Sequence, residues 1–217
     1  MRNNVRFLVV DDHPVFRQGL VVLLSSNPRY EICGQAGTIE EALDICREKL
    51  PDIALVDISL SHQNGLDLVR RFKSLDPDMP ILIISMHDEL VYAERALKSG
   101  ANGYVMKQEA SAVMLDAVKT VLAGKIYVSP AMNERLLATV FGQREERDGL
   151  VNLLSDREFE VLEYIGQGYG ASEISQILNL SVKTVNTYRD HIKEKMNFDT
   201  AAAIRRYAVK WWQSRRP

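Results

Sequence analysis

The run Ile53-Ala-Leu-Val56 ends abruptly on a carboxylate, Asp57, and no other feature restricts the fold of this chain as tightly. Four consecutive apolar residues are too short and too continuous for an amphipathic helix, and read as a strand buried on both faces of a parallel sheet. Open α/β sheets bind ligands in the crevice at the carboxyl ends of their strands, so a terminal Asp57 projects into a functional cleft. The stretch Ser61–Gly65 then supplies turn chemistry, with Gly65 able to take a backbone conformation closed to other residues before the next helix.

The same grammar recurs along the first half of the chain. Val5–Val10 reads as a strand closed by Asp11, Asp12 and His13, and Pro14 suits the first turn of a helix to about Ser26. Tyr30–Gly34 is a second strand, and Thr38 caps a helix to Lys49. After the strand ending on Asp57 comes a helix from Leu66 to about Leu75, then Ile81–Ile84 as a fourth strand ending on Ser85. Asp88 begins the next helix and Gly100 closes it. Gly103–Met106 is a short fifth strand that delivers Lys107, and Ser111–Ala123 completes the alternation as a helix. Five strand–helix pairs with short connections predict a doubly wound, five-stranded parallel sheet, because right-handed crossovers bring all strand ends to one edge.

That edge carries Asp11, Asp12, Asp57, Ser85 and Lys107. Three carboxylates in one crevice repel one another unless a cation neutralises them, and oxygen ligands suit Mg²⁺, which keeps several waters and often bridges a phosphate. Lys107 adds a point positive charge. The bland alternative makes each Asp a helix cap, which for Asp12 alone is the better reading; the coincidence of all five residues favours a phosphate-handling acidic site.

Residues 1 to about 124 resemble a response-regulator receiver domain, through the paired acids, the strand-terminal Asp, the hydroxyl and the Lys, and Lys98-Ser-Gly-Ala-Asn-Gly-Tyr-Val-Met-Lys107 is similar to the form in the NarL/FixJ subfamily. The resemblance implies a flavodoxin-like receiver in which Asp57 is phosphorylated by a sensor histidine kinase. It implies Mg²⁺ held by Asp11, Asp12, Asp57 and the backbone carbonyl of Ser59. Ser85 and Lys107 would meet the phosphoryl oxygens, and Tyr104 matches the aromatic switch; a half-buried strand aromatic would look no different in sequence. A phosphoryl group brings more charge and more acceptor oxygens than a carboxylate, so donors nearby gain a reason to move. Ser59 and His87, each two residues beyond a site residue, are expected to flank the path of hydrolytic water, with an exposed loop histidine the equal alternative.

Beyond Gly124 the alternation stops. Residues 125–149 read as a linker with one helix: Tyr127-Val-Ser-Pro130 opens it, it runs to about Phe141, and the glycine-bounded, charged run 142–149 follows. Residues 150–217 read as an all-α, four-helix domain. Ser155 with Glu158 forms a capping box ahead of Val161, Leu162 and Ile165, Gly166 and Gly168 end that helix, and a short helix follows from Ala171 to about Leu178. A turn Asn179-Leu-Ser181, a long helix Val182 to about Met196 and a last helix from Thr200 to Trp211 complete a helix-turn-helix pattern. The net charge of −2 conceals a basic end, with Lys183, Arg189, Lys193, Lys195, Arg205, Arg206 and Lys210 beyond Ser181.

Leu154-Ser-Asp-Arg-Glu-Phe-Glu-Val-Leu162 and Leu180-Ser-Val-Lys-Thr-Val-Asn-Thr-Tyr188 resemble the LuxR-type helix-turn-helix output domain, over roughly residues 150 to 212. The order of the two resemblances is that of a NarL/FixJ-type transcriptional response regulator. It implies that Val182–Met196 lies in the major groove of promoter DNA, with Lys183, Thr184, Asn186, Thr187 and Asp190 toward bases or phosphates and Arg189 and Lys193 toward the backbone. A homodimer would match paired half-sites. Asp190 departs from the usual basic or neutral residue, and would be repelled by phosphate unless it accepts from a cytosine amino group or pairs with Lys183 or Lys193. Gly170 stands where a Ser or Thr cap is usual.

Two other functional classes meet parts of this pattern. An aspartyl-phosphate phosphatase would want a second carboxylate two residues after Asp57, where Ser59 stands, and an inserted substrate cap, which the chain lacks. A protein-binding adaptor is favoured by Asp190 on the reading face. Cys33 and Cys46 sit outside any metal-ligand spacing, and no signal peptide or membrane-length apolar stretch occurs, so the expected place is the cytoplasm.

Overall fold

In the computed structural model, residues 4–60, 63–141 and 150–214 are described. Five strands form one sheet: β1 Val5–Val10, β2 Tyr30–Ala36, β3 Ile53–Val56, β4 Ile81–Ser85 and β5 Gly103–Met106. The order is β2-β1-β3-β4-β5 and every pairing is parallel. The continuous apolar runs are explained by position, because β3 lies in the middle with all four residues buried, and β4 beside it is buried throughout. Helices α1 Pro14–Ser25, α2 Ile39–Lys49, α3 Gly65–Leu75, α4 Glu89–Lys98 and α5 Ser111–Leu122 alternate with the strands. Phe7, Val9, Leu55, Ile84, Val105, Met114 and Val118 form the core between the sheet and its α1 and α5 side.

Register places the functional edge. Val10 pairs with Val56, so Asp11 and Asp57, the next residues of each strand, leave the sheet side by side. Ser85 pairs with Met106, which sets Lys107 at the same edge.

One local expectation, at Gly65, is corrected. Ser59–Leu60 pairs with Gln63–Asn64 as a short antiparallel ribbon, and 61–62, part of the turn expected over Ser61–Gly65, lie outside the described residues. Gly65 has no positive φ; its Asn64 neighbour caps α3 by accepting from the Leu66 amide at 2.8 Å. The constraint on Gly65 is space, since a Cβ there would lie 2.0 Å from the Asp57 carbonyl oxygen.

The chain after α5 returns to the free edge of β5. Tyr127 donates its amide to the Asn102 carbonyl at 3.0 Å and accepts the Tyr104 amide at 2.9 Å. Helix α6, Pro130–Val140, then packs on α4, with Ser129 as N-cap and its amide donated to Glu89 Oε1 at 2.8 Å. The first compact unit therefore spans Met1–Phe141 and takes in α6, while 142–149 lie outside the described residues.

The second unit, Gly142–Pro217, carries helices α7 Asp156–Gly166, α8 Ala171–Ile177, α9 Val182–Lys195 and α10 Ala201–Gln213. The Ser155/Glu158 capping box is formed, and Gly170 keeps half of one, donating its amide to Glu173 Oε2 at 2.7 Å. Between α8 and α9 the left-handed Asn179 turns the chain and Ser181 caps α9. Gly166 lets α7 and α10 cross closely, because a Cβ there would stand 2.6 Å from the Ala208 carbonyl oxygen.

Gly65→Ala forces backbone against backbone and should destabilise the first unit by about 3 kcal/mol or more, read as a lower urea midpoint. Gly19→Ala, helical and with open space around its Cβ, should instead stabilise by about 0.5–1 kcal/mol.

Candidate functional site

At the edge of the sheet one ammonium serves two carboxylates. Lys107 Nζ lies 2.7 Å from Asp11 Oδ2 and 2.7 Å from Asp57 Oδ2, and all three side chains are almost fully buried. The stem of Lys107 runs past Phe16 on α1, with Nζ 4.6 Å from the ring centroid, an added cation–π contact. Asp11 Oδ1 accepts the His13 amide at 2.8 Å, and the Arg17 guanidinium donates to the Asp11 backbone carbonyl.

The caps-only reading fails here. The N-cap of α1 is His13, with no side-chain cap bond, while α3 and α4 are capped by Asn64 and Asp88. Asp11, Asp12 and Asp57 stay turned to the crevice, where together with His13 they offer ligand atoms within 4.8 Å of one another. His13 is the member that sequence reasoning passed over: its Nδ1 is 2.7 Å from Asp12 Oδ1 and 4.0 Å from Asp57 Oδ2. The uninterrupted Asp-Asp-His run was the available signal.

Burial pushes the Asp57 carboxyl up to about 6, against the lowering pull of the Lys107 charge and hydrogen bond. Desolvation therefore outweighs pairing, and Asp57 Oδ1 is buried without a hydrogen-bond partner. A pocket of hard oxygen donors with an orphaned carboxylate oxygen fits a hydrated Mg²⁺, which would return to those acids the counter-charge that one lysine cannot supply.

The remaining expected residues occupy the rim. Ser85 is fully buried, but its hydroxyl accepts the His87 amide at 3.2 Å and so faces its own loop. Tyr104 is fully inward rather than half-buried, and its hydroxyl donates to the His87 carbonyl at 2.8 Å. Ser59 Oγ and His87 Nε2 are 3.0 Å apart, across the mouth of the pocket from one another. Burial, with the Lys107 charge, pushes the His87 imidazole down to about 4, so this ring is neutral at pH 7 and stacks on Tyr92 at 4.4 Å. His87 is thus a half-buried, partnered ring, not an exposed loop histidine.

In the second unit, Lys183, Asn186, Thr187 and Asp190 share the exposed face of α9, at i, i+3, i+4 and i+7. Arg189 and Lys193 flank it on one side, half-buried; Thr184 lies on the other, its hydroxyl 2.8 Å from that of Ser181. Val185 and Ile192 hold the opposite face in the core. Among the described residues no ion pair joins Asp190 to Lys183 or Lys193.

The folded pKa of Asp57, about 6, lies above the ordinary carboxylate value. Its contribution to stability is complete below the unfolded pKa and is lost as pH rises through 6. Asp57→Asn should therefore stabilise the metal-free protein at pH 7 by on the order of 1–3 kcal/mol, with Lys107 keeping Asp11. The advantage should shrink toward pH 4, and saturating Mg²⁺ should stabilise the wild type more than the variant; urea titrations at the two pH values with and without Mg²⁺ measure both.

Residues 7–119 match the response regulator receiver domain family and residues 152–208 match the bacterial regulatory proteins of the luxR family. Response regulator GacA of Pseudomonas syringae pv. syringae (strain B728a) is 34% identical over 206 residues, 95% of this chain and 96% of that protein. A two-component response regulator of the LuxR family from Aurantimonas sp. SI85-9A1 superposes with a TM-score of 0.59 at 32% identity, over 64% of this chain and 99% of that one. Salmonella enterica serovar Typhimurium RcsB, solved on promoter P1flhDC with the phosphomimetic BeF₃⁻, shares the fold at a TM-score of 0.63 and 21% identity, over 96% of this chain and 100% of that one. These are regulators rather than enzymes, and no helix among the described residues is long and apolar enough to cross a membrane. A receiver sheet with its acidic edge, followed by a helix-turn-helix unit, makes this chain a two-component response regulator of the LuxR-type transcriptional family.

Proposed function

We propose that Asp57 accepts a phosphoryl group from a sensor histidine kinase and that this modification controls binding of α9 to promoter DNA. The observation that carries the reading is the Lys107 ammonium 2.7 Å from both Asp57 and Asp11 in a buried pocket at the strand ends. In the transfer a P–N bond to the donor histidine breaks while a P–O bond to a carboxylate oxygen of Asp57 forms. Asp11, Asp12 and Asp57, with the Ser59 carbonyl, would hold Mg²⁺, whose chemistry is to neutralise charge on the phosphoryl oxygens as it passes. Lys107 stays as the fixed cation beside the acceptor. Ser85 leaves the His87 amide to donate to a phosphoryl oxygen, and Tyr104, bonded to the His87 carbonyl, follows the same loop.

The output reading assigns residues 1–124 to the receiver, 125–149 to the linker and 150–217 to the DNA-binding domain. Asn186 and Thr187 have the hydrogen-bonding groups to read base edges, and Lys183, Arg189 and Lys193 the charge to hold phosphates. Thr184 supports the start of the helix through Ser181. Asp190, paired with neither lysine, is suited to accept from a cytosine amino group. The promoter complex of RcsB supports the docking of this unit on DNA, and two copies on paired half-sites fit the family pattern. The activity belongs in the cytoplasm.

Acetyl phosphate with Mg²⁺ tests the whole reading. The wild type should gain one phosphoryl mass and change its affinity for duplex DNA, and Asp57→Ala should do neither. Modification without any change in DNA affinity would break the link between the units. His87→Ala removes the bond to Ser59 and opens the pocket mouth. It should speed loss of the phosphoryl group severalfold with little change in Mg²⁺ affinity, followed as decay of the phosphorylated mass; an unaltered rate would remove His87 from that role.

A further inference from the structure

A buried carboxylate on α7 meets two exposed side chains of α9. Glu158, 3% exposed, completes the capping box of α7 by accepting the Ser155 amide on Oε2 at 2.8 Å. The same oxygen accepts from Lys195 Nζ at 2.7 Å, and Oε1 lies 3.4 Å from His191 Nδ1. His191 and Lys195 are one turn apart on α9, on the flank that also carries Thr184, with Thr187 one turn before His191. The neighbouring Arg157 is taken up by Glu160 at 2.7 Å, which leaves the two α9 side chains facing Glu158.

Helix α9 is also held by the Ser181 cap and by apolar burial, with Val185 and Ile192 fully buried and Met196, just past its end, nearly so. Apolar burial is itself non-directional, so directional contacts add to the orientation that packing sets. Two contacts to one carboxylate resist rotation of the helix about its axis directly, because that carboxylate is pinned in turn by its own helix cap. A 20° turn of α9 would move side-chain atoms at its surface by roughly 2 Å, enough to break hydrogen bonds to base edges while leaving ammonium–phosphate attraction nearly intact.

We propose that Glu158 is a positioning residue for sequence reading: through Lys195 and His191 it fixes the rotation of α9, and with it the register of Asn186, Thr187 and Asp190 on the bases. The inference rests on the reading of α9 as the DNA-recognition helix. Glu158 itself touches no base.

The test uses the full chain, a duplex selected by the wild-type protein from a random-sequence pool, and a scrambled duplex of the same length. Glu158→Gln keeps an acceptor for the Ser155 amide and removes the charge; Lys195→Met leaves the cap untouched. Each should lower affinity for the selected duplex about tenfold while affinity for the scrambled duplex and the salt dependence on either stay near wild type. The double variant should lose no more than either single one. A merely structural role would lower both affinities together with the melting temperature and leave their ratio alone, which would overturn the proposal. A Lys195→Met variant whose salt slope falls by about 0.9, with an unmoved ratio in Glu158→Gln, would make Lys195 a phosphate contact and also overturn it. A wild type that binds no duplex would sink the recognition-helix reading itself, an outcome distinct from a bound wild type with an unchanged ratio.

Discussion

The contact of Lys107 with Asp11 and Asp57 is the interaction on which the rest of the first unit depends. Three carboxylates crowd one strand edge and a single ammonium answers them, so the pocket keeps an excess of negative charge in a place that water reaches poorly. The rise of Asp57 to about 6, in spite of a lysine at hydrogen-bond distance, shows which effect prevails. Such an arrangement costs stability in the resting protein, and the continuous apolar core of β1, β3 and β4 offsets that cost. Its unsatisfied charge is also what would give a divalent cation something to bind.

The rim of the pocket is a single loop held at several points. Ser85 holds the His87 amide, Tyr104 holds the His87 carbonyl, and Ser59 meets its ring. Two residues on, Glu89 holds the amide of Ser129 at the start of α6, and Tyr127 pairs with the edge of β5. A phosphoryl group at Asp57 would compete for the Ser85 hydroxyl, which can turn inward without breaking a backbone pairing of the sheet. The loop from Ser85 to Glu89 would therefore join phosphorylation at Asp57 to the docking of α6, through hydrogen bonds that share a few residues. The linkage is physical and local, with no long chain of packed side chains required.

Much of this was legible in the sequence because both kinds of signal were strong. Apolar runs that end on Asp57, Ser85 and Lys107 can only be buried strands of a parallel sheet, and their order fixes which side chains share an edge. Ser155 with Glu158 likewise announced the start of α7. What escaped was set by distance rather than pattern. Gly65 looked like a residue of unusual φ, whereas its requirement is the 2.0 Å approach to the Asp57 carbonyl, visible only once the ribbon before α3 has folded back. His13 was read as a strand terminator because nothing in one dimension says that its ring meets Asp12. Glu158 was read as a cap and no more, since its partners Lys195 and His191 lie over thirty residues away. Tyr104 could not be assigned inward or half-buried until the return of the chain at Tyr127 covered the β5 edge.

The charge on α9 bears on how a receiver can control it. Its exposed face combines Lys183 with Asp190 and Glu194, and Arg189 and Lys193 stand only half-exposed at its edge. Few phosphates are neutralised by so mixed a surface, and affinity from counterion release falls with each one missing. On the proposed reading one copy of the unit would gain little from the backbone alone and would depend on base contacts, whose geometry is unforgiving. Two copies on one duplex change the arithmetic, because the second binds at the high effective concentration set by the first. A receiver need not reshape α9 to act as a switch on such a unit. On the proposed reading it would be enough for phosphorylation to alter how readily two copies meet, since weak individual binding would make the pair, and not the monomer, the species on a promoter.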